Sequence, residues 1–178
     1  MIDTKTGCIH IYAGDGKGKT TAAMGLALRF AGSGRRVLVA QFLKDGTSSE
    51  LKALAQLPGV TILSGKAVPG FARQFTAQDR AIVRAEHDQR LAQINHLLSD
   101  EPWHLLVLDE IIGALNQGLV DKTKLLTLLD QRPTGLEIAL TGRNPDPDLA
   151  LRADYFSEVQ KIKHPYDRGL AAREGVEQ

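Results

Sequence analysis

The sequence predicts an α/β fold with a mostly parallel sheet and helices on both of its faces. Three observations predict it. Short apolar runs alternate with longer amphipathic stretches, as strands joined by right-handed helical crossovers do. Runs such as Val37-Leu38-Val39-Ala40 and Leu105-Leu106-Val107-Leu108 are apolar at every position, which suits strands covered on both sides. A Gly-rich loop stands directly between the first apolar run and the first helical stretch.

The elements follow in order. Residues 8–13 (Cys-Ile-His-Ile-Tyr-Ala) form the first strand. Residues 19–32, rich in Ala and Leu, form a helix that Gly32 and Gly34 stop. Residues 36–43 make a second strand, 48–57 a short helix and 60–63 a short strand. The longest helix covers 76–99, where Thr76 and Asp79 have the spacing of a capping box with Asp in place of the usual Glu. Val83, Leu91, Ile94 and Leu98 form its apolar stripe. Residues 105–108 form a strand that runs into Asp109-Glu110. A helix at 122–131 follows, then a strand at 136–140 ending at Thr141-Gly142-Arg143, and a last strand at 157–162. No repeat, low-complexity tract or linker interrupts this order. The 178 residues suit a single domain, 1–178, with a sizeable core. Ligands of parallel sheets bind beyond the carboxyl ends of the strands. The Gly-rich loop, Asp109-Glu110 and Thr141-Gly142-Arg143 should therefore share one edge.

Composition excludes several classes of function. With 22 basic against 21 acidic residues and a net charge of +1, nothing marks nucleic acid or an anionic membrane as the partner. No apolar run is long enough to cross a bilayer. The single cysteine, Cys8, cannot build a disulfide framework, which fits a reducing cytoplasm. It opens an apolar run and reads as a small buried thiol rather than a nucleophile. His10 reads as a partly buried structural residue of the first strand. His87, His96 and His104 lack metal-ligand spacing, Arg35-Arg36 reads as a solvated turn, and Trp103 as a packing residue.

The chemistry lies in the loop. Ala13-Gly14-Asp15-Gly16-Lys17-Gly18-Lys19-Thr20 is a Walker A sequence in which Ala13 replaces the first glycine. Its glycines allow a sharp turn that aims successive N–H groups inward as a nest for anionic oxygens. The following helix adds its positive end. Lys19 can reach phosphate oxygens and the Thr20 hydroxyl can ligate Mg²⁺. The ligand expected is the triphosphate of ATP with Mg²⁺ (or Mn²⁺), held by Gly14, Asp15, Gly16, Lys17, Gly18, Lys19, Thr20 and Thr21. The alternative is a Gly-rich turn that only caps a helix. Asp109-Glu110 ends an apolar strand as a Walker B acid does, and a carboxylate there can hold the metal directly or through water. Its alternative is an acid that complements a helix dipole. No Ser-His-Asp arrangement can be argued from the sequence.

A phosphate loop does not settle a reaction, but the whole sequence resembles one family. Residues 14–23 are similar to the Gly-Asn-Gly-Lys-Gly-Lys-Thr-Thr-Ala-Ala signature of P-loop-type ATP:cob(I)alamin and cob(I)yrinic acid a,c-diamide adenosyltransferases. Gln41-Phe42-Leu43-Lys44 resembles that family's Gln-Phe-Ile-Lys, and Leu108-Asp109-Glu110 its acidic motif. Thr141-Gly142-Arg143, Ala153-Asp154, Ser157-Glu158, Lys163-His164, Asp167, Gly169 and Gly175-Val176-Glu177 match in order and spacing. The likeness runs from about Gly7 to Glu177. It implies a P-loop NTPase-like (RecA-type) fold and transfer of the 5′-deoxyadenosyl group from ATP to corrinoid Co(I), with release of triphosphate. It also implies metal ligation by Thr20 and Glu110, catalytic roles for Lys19 and Glu110, and a nucleotide contact from Arg143. The corrinoid would be cobalamin or cobyrinic acid a,c-diamide, and the assembly a homodimer; a flavoprotein reductant is compatible with this reading. The family's Gly-Phe-Thr-Trp, which lines the lower corrin face, is Gly70-Phe71-Ala72-Arg73 here, so Phe71 and Arg73 are the expected corrinoid contacts. The family's Thr-Gly-Arg-Gly is Thr141-Gly142-Arg143-Asn144, and only a few residues precede the first strand where the family carries a charged helix. Two other readings stay open at this level. One is an ATP- and corrinoid-binding regulatory or delivery module without transferase activity. The other is an unrelated P-loop kinase or ATPase.

Overall fold

A computed structural model describes residues 7–44, 48–65, 75–171, 173 and 175–176. Six strands form one sheet among these residues: β1 (Ile9–Ala13), β2 (Val37–Gln41), β3 (Val60–Leu63), β4 (Leu105–Asp109), β5 (Glu137–Gly142) and β6 (Tyr155–Glu158). Their order is β3-β2-β4-β5-β1-β6, and every pairing is parallel. The helices are α1 (Lys19–Gly32), α2 (Ser49–Leu54), α3 (Ala77–Asp100), α4 (Ile111–Asn116), α5 (Lys122–Asp130) and α6 (Pro147–Arg152), with a 3₁₀ turn at Pro165–Arg168. The sheet and its helices are those of an α/β P-loop NTPase-like fold.

The period of two along the strands divides the core in half. Leu38, Ala40, Leu106, Leu108, Ile138 and Leu140 face α3, α4, α5 and α6, and bury Val83, Leu91, Ile94, Ile111, Leu125 and Leu149. Val37, Val39, Leu105, Val107 and Ala139 face the other way, onto Ala23, Met24 and Ala27 of α1 and Leu51 and Leu54 of α2. The small side chains Ala23 and Ala27, both fully buried, let α1 lie close against the sheet. That closeness brings its first turn up to the strand ends.

Several local expectations are revised. β2 stops at Gln41 because Leu43 takes φ 55, a left-handed value that breaks an extended run. The last strand begins at Tyr155 and ends at Glu158, with all four side chains exposed on a sheet edge that pairs only with β1. Arg36 is not a solvated turn residue: its guanidinium lies 4.5 Å from the centre of the Trp103 ring and pairs with Glu101. Trp103 packs, and its Nε1–H donates to the Leu97 carbonyl at 2.9 Å. Cys8 is only half-buried, although burial and then the Glu137 carboxylate push its thiol up. His87 is buried and bonded to the Leu119 carbonyl at 2.9 Å. The capping box is present. Asp79 N–H donates to Thr76 Oγ1 at 3.1 Å, and Thr76 N–H to Asp79 Oδ2 at 2.9 Å.

Candidate functional site

The loop between β1 and α1 turns through Gly14 at φ 116 and Gly18 at φ 121, values that an L side chain rarely adopts. Gly18 is the N-cap of α1. No side chain caps it and no acid stands in the first turn, so the helix presents unpaired N–H groups and a positive end. Lys19 is 9% exposed and donates from Nζ to the Gly16 carbonyl at 2.7 Å. Burial, and then Arg143, hold its ammonium below the ordinary lysine value.

Behind the loop lies a polar knot. Asp109, fully buried at the end of β4, receives Thr20 Oγ1–H at 2.8 Å and Thr141 Oγ1–H at 2.7 Å on one oxygen. Gln41 Nε2 at 3.0 Å and Lys44 Nζ at 3.1 Å donate to the other. Burial pushes its carboxyl up, but Lys44 and the hydrogen bonds from Gln41, Thr141 and Thr20 outweigh it and hold the group below the usual carboxylate value. Glu110 follows at φ 60, a conformation that non-glycine residues adopt mostly where surroundings impose it. Here Thr141 imposes it, accepting Glu110 N–H at 2.8 Å. Burial, and then Asp109, push the Glu110 carboxyl up.

The segment after β6 is laced onto the loop. Val159 N–H donates to the Ala13 carbonyl at 2.7 Å, Gly16 N–H to the Val159 carbonyl at 2.8 Å, and Lys161 N–H to Asp15 Oδ1 at 2.9 Å. A Cβ on Gly14 would stand 2.3 Å from the Val159 oxygen, and one on Gly16 2.8 Å from the Gln160 carbonyl carbon. The glycines here are needed for backbone contact as well as for the turn.

The resulting cleft has a volume of about 1300 Å³, more than the roughly 300–1,000 Å³ of an ordinary small-molecule pocket. Asp15, Gly16, Lys17, Gly18, Lys19, Thr20, Thr21, Glu110 and Arg143 converge on it. Gly14 instead abuts Val159. Phe71 and Arg73 lie outside the described residues. The far wall is apolar, from Met24 and Leu28 of α1, Leu54 of α2, and Pro165 and Leu170 of the tail. As expected, the three motifs share one edge of the sheet.

The sequence offers Asp109-Glu110 together as a Walker B acid, the family resemblance narrows the metal to Thr20 and Glu110, and Gln41 and Lys44 are left without roles. The structure adds Gln41 and Lys44 to the site and makes Asp109 the carboxylate that ties them to Thr20. Their signal was available: Gln41 is a polar residue ending an apolar strand, and its register partner is Asp109. Gln41 Oε1 is buried without a partner, alone in this among the side-chain atoms of the described residues. The Thr20 hydroxyl and the Asp109 and Glu110 carboxylates are hard oxygens of the kind that Mg²⁺ or Mn²⁺ takes. Among the described residues no group of three His, Cys, Asp or Glu could hold a metal alone. The fit is therefore to a cation that shares its shell with phosphate oxygens and water, as Mg²⁺ does at triphosphates.

A family model described as ATP:corrinoid adenosyltransferase BtuR/CobO/CobP matches residues 5–178. The corrinoid adenosyltransferase of Pseudomonas aeruginosa is 31% identical over 171 residues, covering 96% of this chain and 83% of its own length. That of Sinorhizobium sp is 32% identical over 181 residues, covering 99% and 84%. That of Escherichia coli K12 is 30% identical over 171 residues, covering 96% and 85%.

Proposed function

The chain belongs to the ATP:corrinoid adenosyltransferase family, and from that premise we propose how its cleft moves the adenosyl group of ATP onto a corrinoid. It is a transferase of the 5′-deoxyadenosyl group to corrinoid Co(I). Cobalt supplies the electron pair that forms the cobalt–carbon bond. The bond from C5′ to its phosphate oxygen breaks, and its electron pair leaves on triphosphate. No side chain has to take a proton. The protein has to hold two large reactants in line and accept negative charge on the leaving group.

The observation that carries this reading is the uncapped positive end of α1, flanked by Lys19 and Arg143 and opening on a cleft of about 1300 Å³. The N–H groups at the start of α1 receive the triphosphate, with Lys17, Gly18 and Thr21 around it. Lys19 exchanges the Gly16 carbonyl for phosphate oxygen, and Arg143 adds a second cation. Asp15 and Gly16 hold the loop against the strap after β6, and Gly14 gives it room to do so. Thr20 and Glu110 would hold Mg²⁺ (or Mn²⁺), with Asp109 fixing the Thr20 hydroxyl. When bound, that cation would neutralise charge on the departing triphosphate. Phe71 and Arg73 would meet the corrin. The same reading carries a homodimer, a cytoplasmic location and a flavoprotein as electron donor. Among the described residues no helix is long and apolar enough to cross a membrane.

The test is an anaerobic incubation with ATP, Mg²⁺ and chemically reduced cobalamin. Formation of a cobalt–carbon bond in the visible spectrum, with one intact triphosphate per turnover, is the expected result. Release of ADP without that bond would overturn it.

A further inference from the structure

Among the described residues, Lys44 is the cation that touches both Thr20 and Asp109 at the back of the site. Its Nζ lies 3.1 Å from Asp109 Oδ2 and 3.4 Å from Thr20 Oγ1. Thr20 gives its only hydroxyl proton to Asp109 Oδ1, so the side of Thr20 facing Lys44 offers lone pairs. Those lone pairs are what a divalent cation would use. An ammonium and a metal cannot both take them, and two cations a few ångströms apart repel strongly. Asp109 explains why a cation waits there at all: its side chain is 0% exposed, and a buried carboxylate without a counter-charge is costly. The Lys44 side chain, by contrast, is 32% exposed and stands beside the cleft on the stretch that leaves β2. It can withdraw without disturbing the core.

We propose that Lys44 is a place-holding cation. Without nucleotide its ammonium, braced by Asp109, takes the Thr20 lone pairs that the metal would use, and it yields them only when metal arrives with a nucleotide. This rests on the metal reading given above. Metal alone has to displace an ammonium and gains little by doing so. Metal carried by a triphosphate arrives in a complex that is still net negative, and the displaced ammonium moves toward that charge rather than into water. Lys44 therefore couples metal affinity to nucleotide occupancy, and acts as a positioning residue for the pair.

The test is Mn²⁺ binding followed by water-proton relaxation, with and without ATP, in the parent and in Lys44→Met. Lys44→Gln, which keeps a donor for Asp109, serves as the second variant if the Met chain does not fold. The parent should bind Mn²⁺ well only with ATP. The variants should bind Mn²⁺ alone about tenfold or more tightly than the parent does, and Mn²⁺ alone should raise their Tm more than the parent's. Adding Thr20→Val should abolish the gain. Mn²⁺ binding that requires ATP equally in parent and variants would overturn the place-holder and leave the metal site standing. Loss of ATP affinity without any gain in metal-only binding would make Lys44 a phosphate ligand and also overturn it. Absence of Mn²⁺ binding in every chain, even with ATP, would remove the metal reading and the place-holder together.

Discussion

Lys19 turns its ammonium back onto its own loop at Gly16, a contact that a phosphate oxygen can replace. Lys19→Ala removes a charge-assisted hydrogen bond of about 1.5–3 kcal/mol, so ATP affinity should fall by roughly tenfold to a hundredfold. Calorimetric titration giving the parent affinity would sink the assignment. Glu110→Gln should act differently. An amide is a poorer ligand for a hard cation, so the Mg²⁺-dependent rate should drop by about tenfold or more with ATP affinity little changed. A parent-level rate at saturating Mg²⁺ would leave Glu110 as a helix-end acid. His87 sets an acid limit on the fold. Burial holds its imidazole down to about 4, and its ring sits edge-on to Phe42. Since its folded value is depressed, the neutral form is the stabilising one. That contribution is present above about pH 6.5 and is lost as pH falls toward 4, at most about 3 kcal/mol over the interval. His87→Gln should flatten Tm between pH 4 and 6.5, and an unchanged slope would show that other groups carry it. His87 and Arg90 also show why the α3 stripe was incompletely legible. Both are buried with Val83, Leu91, Ile94 and Leu98, and hydropathy alone assigns such residues to water. Arg90 enters because the Gln41 carbonyl accepts its guanidinium at 2.7 Å, a partner on β2 that spacing within the helix cannot reveal.

At the level of elements, legibility followed length and period. α1 was readable to the residue because fourteen positions carry a face and a glycine stop. α4 and α6 were missed: six residues complete fewer than two turns, a length at which a helical face can show, as in α2, or be lost, as here. For α6 a signal existed all the same, since Asp146 caps it and Pro147 begins it. β6 was placed late because all four of its side chains are exposed, the aromatic Tyr155 and Phe156 among them, so no buried face marks it. The strap that follows β6 was not legible at all, because its contacts to Asp15 and Gly16 span about the whole chain. That strap makes Gly16 a test of element packing. A methyl on Gly16 meets the Gln160 backbone at 2.8 Å, and backbone cannot turn aside as a side chain can. Gly16→Ala should cost about 1–3 kcal/mol and weaken ATP binding as the loop shifts. Parent Tm and parent affinity together would show that the strap is free to move.

The whole molecule places chemistry at one edge of a single parallel sheet and finishes the cleft with its tail. None of the described residues from 162 onward is buried, yet His164, Pro165, Tyr166 and Leu170 line the cleft. Deleting 162–178 should change stability by less than about 1 kcal/mol while lowering ATP affinity measurably. Equal losses of both would mean that the tail belongs to the fold. Strand order has a further consequence, for the timing of folding. β1 is hydrogen-bonded only to β5 and β6, and Cys8 meets Glu137 across 129 residues, Asp15 meets Lys161 across 146. β1, synthesised before the five other strands described, therefore has no neighbour in the sheet until β5 has been made. Contacts so distant along the chain form slowly, and an apolar strand that waits for them is exposed to aggregation. The phosphate loop hangs from that strand, so ATP binding should be among the last properties a refolding chain regains.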